Sequence, residues 1–179
     1  LILVVLVVGL AFANSVGAAR VAANAEDLHW TNASLGTAAL GRAALVQATT
    51  FTELADTGLV TEADLAAAMS EAEDAAQRLG ELRDLGGSQV STALLTHFLA
   101  GAEDVIGILA AGDFGAAKDL LMTDVEASYL DLVDSLQAEQ ADIQAQIDAN
   151  TAGASRMTEF IKFFLMLGIP VAAVFIYRR

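Results

Sequence analysis

Apolar residues fill the two ends of the chain and recur at helical spacing between them. The segment 1–19 contains no ionisable side chain, and 160–177 contains only Lys162. At about 1.5 Å rise per residue, 18 or 19 residues span roughly 27 Å, close to the hydrocarbon core of a bilayer. Each end therefore predicts a transmembrane helix, with a polar domain over 20–159 between them. The first segment also fits a secretory signal peptide, but its length and the lack of a basic start favour a retained span. Arg178 and Arg179 follow the second span, and basic flanks favour the cytoplasmic side. The middle is then expected outside the cytoplasm of a two-span protein of the inner (plasma) membrane, with 178–179 beginning a cytoplasmic linker. A start on Leu1 and an end on Arg179 are expected to be cuts in a longer chain.

Between the ends no stretch alternates apolar and polar as a strand would, and proline is absent until Pro170. An all-α domain is predicted. Three breaks divide it. Gly58 suits a helix C-terminus, and Thr61 with Asp64 three residues on suits the next N-terminus. Gly86-Gly87-Ser88 repeats the stop-and-cap order, and so does Gly112-Asp113. Helices at about 20–56, 62–85, 88–111 and 114–157 follow. Their short connections make neighbours antiparallel, which predicts an up-down-up-down four-helix bundle flanked by the two transmembrane helices.

The apolar spacing supplies candidate core positions. Helix two offers Leu65, Met69, Ala72, Ala76 and Leu79; helix three offers Val90, Leu94, Phe98, Ala102, Val105 and Leu109. Helix one offers Leu28, Leu35, Leu45, Phe51 and Leu54, with a register shift expected between Leu35 and Leu45. Helix four is the most regular. Tyr129, Val133, Leu136, Gln140, Ile143, Ile147, Asn150, Ala154, Met157, Ile161 and Phe164 follow at alternating steps of 4 and 3. That repeat implies packing at a left-handed coiled-coil crossing, carried in phase across the expected water–lipid boundary. The stretch Gln140, Ile143, Ile147, Asn150, Ala154 and Met157 is the candidate signalling seam. Its two polar members, Gln140 and Asn150, either fix register inside the seam or sit solvated at its edge.

Charge changes the picture of the middle. The chain carries −14 overall, and all 23 acidic residues fall between Glu26 and Glu159. That surplus speaks against nucleic acid and against docking on anionic lipid surfaces. There is no cysteine, hence no disulfide frame and no thiolate metal site. Glu26-x-x-His29 has the spacing of half a di-iron motif, but His97 has Leu94 three residues before it, so no second half exists. No cofactor, metal or catalytic grouping is expected. Arg42, Arg78 and Arg83 are the candidates for an anionic ligand, because a guanidinium fork matches a carboxylate; Glu81 and Asp84 offer ordinary ion pairing instead. Trp30, Lys162, Arg178 and Arg179 are candidate membrane-interface residues, and Trp30 fits core packing against helix four at least as well. Pro170 falls inside the second span, where it removes a backbone hydrogen bond. The sequon Asn32-Ala33-Ser34 lies within a helix and is discounted.

The stretch 112–136 reads GDFGAAKDLLMTDVEASYLDLVDSL. Its Gly-Asp turn, Ala-rich first turn, Leu-Leu pair and leucine-spaced run before a second span resemble the last helix of one family. That family is the four-helix-bundle sensor domain of bacterial methyl-accepting chemotaxis receptors and related sensor kinases. The ending Ile176-Tyr177-Arg178-Arg179 is similar to the entry into a HAMP linker. The resemblance implies a homodimer, a ligand site high on the bundle near the dimer interface, and a small inward movement of the last helix as the signal. In amino-acid-sensing members, arginines on the first helix hold the ligand carboxylate; here only Arg42 stands mid-helix, so that cluster is not reproduced. The expected function is an extracytoplasmic sensor relaying a small-molecule ligand or a binding protein to a cytoplasmic output module, not an enzyme. Its partners would be a second copy of the chain and membrane lipid. The alternative is a membrane-anchored helical scaffold that binds another protein without signalling.

Overall fold

The computed structural model describes the backbone of residues 2–55 and 57–177, and the side chains of 17–55, 57–153 and 159. All described regular structure is helical: α1 (Ile2–Ala55), α2 (Glu62–Leu85), α3 (Gln89–Ala110), α4 (Phe114–Leu120), a π turn (Leu121–Val125) and α5 (Glu126–Tyr177). The chain divides into two compact units. One is Asp27–Ala141; the other joins Leu1–Glu26 to Asp142–Arg179.

Local chemistry sets the ends of α2, α3 and α4. Thr61 and Asp64 form a reciprocal capping box: each side chain accepts from the other's backbone N–H. The Thr61 hydroxyl and then the Thr61 backbone N–H, both donating to the Asp64 carboxylate, hold its pKa below the ordinary value, against slight desolvation. The Ser88 hydroxyl accepts from the Ser91 N–H, and the Asp113 carboxylate from the Ala116 N–H. Gly58 and Gly112 turn the chain at φ of 74° and 82°, a left-handed region where a side chain is strained.

Named contacts in the larger unit close the four helices into an antiparallel ring. Along α1, Asn32, Arg42 and Glu53 meet Gln140, Glu126 and Lys118 in turn, so the last helix runs opposite to the first. Trp30 reaches Leu82, while Gly41 faces Ala75 and Leu79, which sets α2 against α1. Gly80 faces Leu99 of α3; Ser91 and Gly101 meet Glu139 and Val125, bringing α3 against the last helix. Phe98, Leu95, Val105, Leu132 and Leu136 fill the centre, all with no exposed surface.

The buried stripe of α1 differs from the leucine stripe expected there. Its inward positions are Thr31, Ser34, Ala38, Gly41, Leu45 and Ala48, at steps of 3, 4, 3, 4 and 3. Leu28 and Leu35 are half-buried, and Leu40 is 63% exposed. No register shift is needed between Leu35 and Leu45, because small residues carry the seam through that interval and let the helices approach closely. In α2 the buried line is Ala68, Ala72, Ala75 and Leu79, with Leu65, Met69 and Ala76 on its flank. In α3 the expected positions Phe98, Ala102, Val105 and Leu109 are buried, but toward its start Val90 is 64% exposed and Leu94 half-buried, with Ser91 and Leu95 inward in their place.

The last helix holds the main departure. Its early inward residues are Ala117 and Leu121; its later ones are Val125, Ser128, Leu132 and Leu136. In an uninterrupted α-helix the later set would stand further round than the earlier set. The π turn wraps more residues into one turn and takes up that lead. Tyr129 and Val133, expected in the seam, consequently stand half-buried beside it.

The spans expected at 1–19 and 160–177 are helical in backbone, but nearly all of their side chains lie outside the described residues. Among the described residues one helix, Gln89–Ala110, is long and apolar enough to cross a membrane, at mean hydropathy 1.5. Seven of its residues, from Ser91 to Leu109, are buried on one face, and that face is the core of the bundle.

Two stability predictions follow from these packing features. Gly58 and Gly87 both need positive φ, at 74° and 109°, but only at Gly87 would a Cβ overlap the Trp30 ring. Gly58→Ala is expected to cost about 1 kcal/mol and Gly87→Ala about 3 kcal/mol or more in urea unfolding. Deleting Met122, an exposed residue of the π turn, should leave a regular α-helix and a thermal midpoint within a few degrees of wild type. Inserting an alanine after Met122 should lower the midpoint by roughly 10 °C or more, because it turns Leu132 and Leu136 out of the core.

Candidate functional site

The most strongly paired charges in the bundle meet where the π turn ends. Arg42, at the middle of α1, donates from Nε to Glu126 Oε2 at 2.6 Å and from Nη2 to Glu126 Oε1 at 2.9 Å. This is a bidentate fork, the strongest common geometry for a guanidinium and a carboxylate. The Arg42 guanidinium also lies over the Tyr129 ring, 5.3 Å from its centre. Tyr129 in turn tilts at 51° against the buried Phe98, with centroids 5.8 Å apart. A line of contact thus runs from a charge on α1 through an aromatic ring into the core.

The electrostatics agree with that geometry. The hydrogen bond to Glu126 pushes the Arg42 guanidinium pKa further up, partial burial opposes it, and the charges of Glu126 and Tyr129 add to the rise. The pair is not sealed from water: the Arg42 side chain is 38% exposed and that of Glu126 28%. Its net contribution to stability is therefore on the order of 1 kcal/mol or less. Its value lies in orientation, since the fork fixes where α5 begins relative to α1.

A second polar cluster ties α3 to α5. Glu139 Oε2 accepts from Ser91 Oγ at 2.6 Å and from Ser88 Oγ at 3.0 Å, and the Ser91 and Ser135 hydroxyls lie 3.1 Å apart. Ser91 is fully buried, so these bonds satisfy a hydroxyl that would otherwise cost stability. Gln140, the next residue, donates to Asn32 Oδ1 at 3.1 Å. The first polar member of the expected seam is therefore a hydrogen-bonded link between α5 and α1.

The other candidates fall in separate places. Arg83 pairs with its neighbour Asp84 at 2.9 Å, which raises its pKa, and Arg78 is exposed with no ion pair among the described residues. Arg42, Arg78 and Arg83 thus share no common partner. Trp30, a candidate either for a membrane interface or for core packing, is 8% exposed inside the bundle, where its indole N–H donates to the Leu82 carbonyl of α2 at 2.7 Å. In the other unit, Ile143 is buried, Ile147 half-buried, and Asn150 lines a cleft. Ala154, Met157, Lys162, Arg178 and Arg179 lie outside the residues whose side chains are described. Among the described residues no cluster of histidine, aspartate and glutamate has the geometry of a metal site.

Sequence reasoning singled out Arg42 but not its partner. Glu126 lies 84 residues away along the chain, and nothing local distinguishes it from 22 other carboxylates. A double-mutant cycle on Arg42→Ala and Glu126→Ala should return a coupling of about 0.5–1 kcal/mol at low salt that shrinks as salt is added. Compared with protein-family models, curated proteins and solved structures, the chain matches none, so what this site can do rests on its own residues.

Proposed function

We propose that the chain is the sensor and transmembrane signalling segment of a receptor of the chemotaxis-receptor or sensor-kinase kind, working as a homodimer with its bundle outside the cytoplasm. Ligand or partner binding at the bundle biases two arrangements of the last helix, and a cytoplasmic output module reads the difference. The observation that carries this reading is α5 itself. It runs as one helix from Glu126 to Tyr177, from the residue gripped by Arg42 to the apolar run at 160–177. The basic pair Arg178-Arg179 after that run supports the assignment of sides.

The energetics are modest. A ligand shifts such an equilibrium only by its differential affinity for the two arrangements, typically about 1–3 kcal/mol. A net contribution near 1 kcal/mol suits Arg42–Glu126 to that range, because a competing carboxylate could take over the fork without unfolding the bundle. One observation favours the rival reading, a membrane-anchored scaffold. Arg42 and Arg83 already hold Glu126 and Asp84, so two of the three candidate ligand arginines are occupied.

Reading the open frame past Arg179 separates the two. An amphipathic helical linker followed by an output module is the expected result, and a stop codon within a few residues would sink the signalling reading. In the full receptor, Gln140→Leu should blunt output by removing the polar link to Asn32 and tightening the seam; unchanged output would refute a poised seam.

A further inference from the structure

Two helices make up the unit that joins Leu1–Glu26 to Asp142–Arg179. α1 leaves for the larger unit at Glu26 and α5 returns from it at Asp142, which makes the pair antiparallel. They meet at a surface cleft lined by Arg20 and Asn24 from α1 and by Gln146, Ala149 and Asn150 from α5. One turn of each helix thus stands at the same level, Arg20 with Asn150 and Asn24 with Gln146. Both helices rise by about 1.5 Å per residue, so equal counts along each keep that level. Phe160 comes ten residues after Asn150, and Leu10 comes ten residues before Arg20.

The second apolar run has little freedom in depth. Glu159 and Arg178 bracket it, and its 18 residues span about 27 Å, close to the thickness of the hydrocarbon core. No charge precedes Arg20 on α1, so charge alone does not mark where water begins there. Composition does change at the level the helix pair sets. Nine of the ten residues 1–10 are Leu, Ile or Val, whereas 11–19 holds Asn14, Ser15, Gly17 and four alanines.

We infer that the bilayer surface meets the helix pair at Leu10 and Phe160, so that 11–19 stands outside the hydrocarbon core, level with 151–159. The inference rests on reading 160–177 as a span, and it changes which part of α1 touches lipid. Seating all of 1–19 in the core requires one of two displacements. α1 would slide about nine residues, roughly 13 Å, along α5, which parts Arg20 and Asn24 from Gln146 and Asn150. Otherwise the pair sinks together and carries Arg156 and Glu159 into hydrocarbon, where a charge is costly. With the surface at Leu10 and Phe160, Lys162 is the single charge below it, close enough to reach the headgroups. A headgroup layer roughly 5–7 Å deep then covers about four residues of each helix, 11–14 on α1 and 156–159 on α5. The partner of 11–14 is this polar layer, and 15–19 stands in water.

The chain has no cysteine, so a single introduced thiol reports its own position. Val5→Cys, Ser15→Cys, Ser155→Cys and Leu165→Cys are made in the full chain, with Ala25→Cys as the water-side reference. Each is spin-labelled and reconstituted in phosphatidylcholine vesicles. Collision rates with oxygen and with a water-soluble nickel chelate then report the depth of the label. The Ser15 and Ser155 sites are expected to match Ala25, with nickel collisions several-fold above those at Val5 and Leu165. If either Ser15 or Ser155 reads like Leu165, the surface lies elsewhere and the inference is overturned, though the spans stand. Val5 reading as water overturns it as well, and if Leu165 does so too, the span reading falls with it. Where a variant loses its helical circular dichroism, Ala18→Cys replaces Ser15→Cys and Thr151→Cys replaces Ser155→Cys under the same criteria.

Discussion

A helix can bury only one stripe, and the stretch from Phe114 to Leu136 contains two that are out of phase. Ala117 and Leu121 belong to one, and Val125, Leu132 and Leu136 to the other. The bundle accepts both because one π turn lets the second stripe fall back into line with the first. Much of the larger unit depends on that adjustment. It sets Val125 against Gly101, where a Cβ on the glycine would approach the valine side chain to 3.0 Å. It also points Glu126 at Arg42 and leaves Tyr129 between that ion pair and Phe98. A π turn surrendered to regular α-helix would rotate Leu132 away from the core and its neighbour Asp131 toward it, so the irregularity is favoured by burial against its own poorer hydrogen-bond geometry.

Packing elsewhere rests on small residues whose polar atoms are answered locally. Thr31, Thr49 and Ser128 are buried in or beside the helix seams, and each hydroxyl donates to a carbonyl three or four residues back on its own helix. Such residues behave as slightly enlarged alanines: they allow close approach without leaving an open donor. Ser34 is the exception, buried with no hydrogen-bond partner for its hydroxyl among the described residues. Glu139 does reach across the bundle, where it accepts from the Ser88 and Ser91 hydroxyls at the start of α3. The surface outside this core is acidic and largely solvated, consistent with a domain kept soluble by net charge.

The candidate sites were legible in unequal measure. Arg42 was visible as the one arginine in the middle of the first helix, and Gln140 and Asn150 as polar breaks in an apolar repeat. Their partners were not. Glu126 and Asn32 carry no local mark, because a partner 84 or 108 residues away is chosen by how helices pack and not by neighbours in sequence. Trp30 shows the same limit. An indole near an apolar segment looks interfacial until the turn at Gly86-Gly87 folds over it.

The sequence by itself determined that the chain is helical, where its breaks fall and what caps them. Thr61 with Asp64, Ser88, Asp113 and the glycines before them act within four residues, so their consequences can be read locally. Apolar spacing likewise placed Phe98, Ala102, Val105 and Leu109 inside, because large side chains on a helical period have only one stripe to share. Tertiary structure alone decided that α1 would bury Thr31, Ser34, Ala38 and Gly41 in preference to Leu40. It decided too that the last helix would need a π turn to align its two stripes. Both outcomes depend on how closely a neighbouring helix approaches and at what angle, and burial of a small residue is settled by that neighbour's surface rather than by its own side chain.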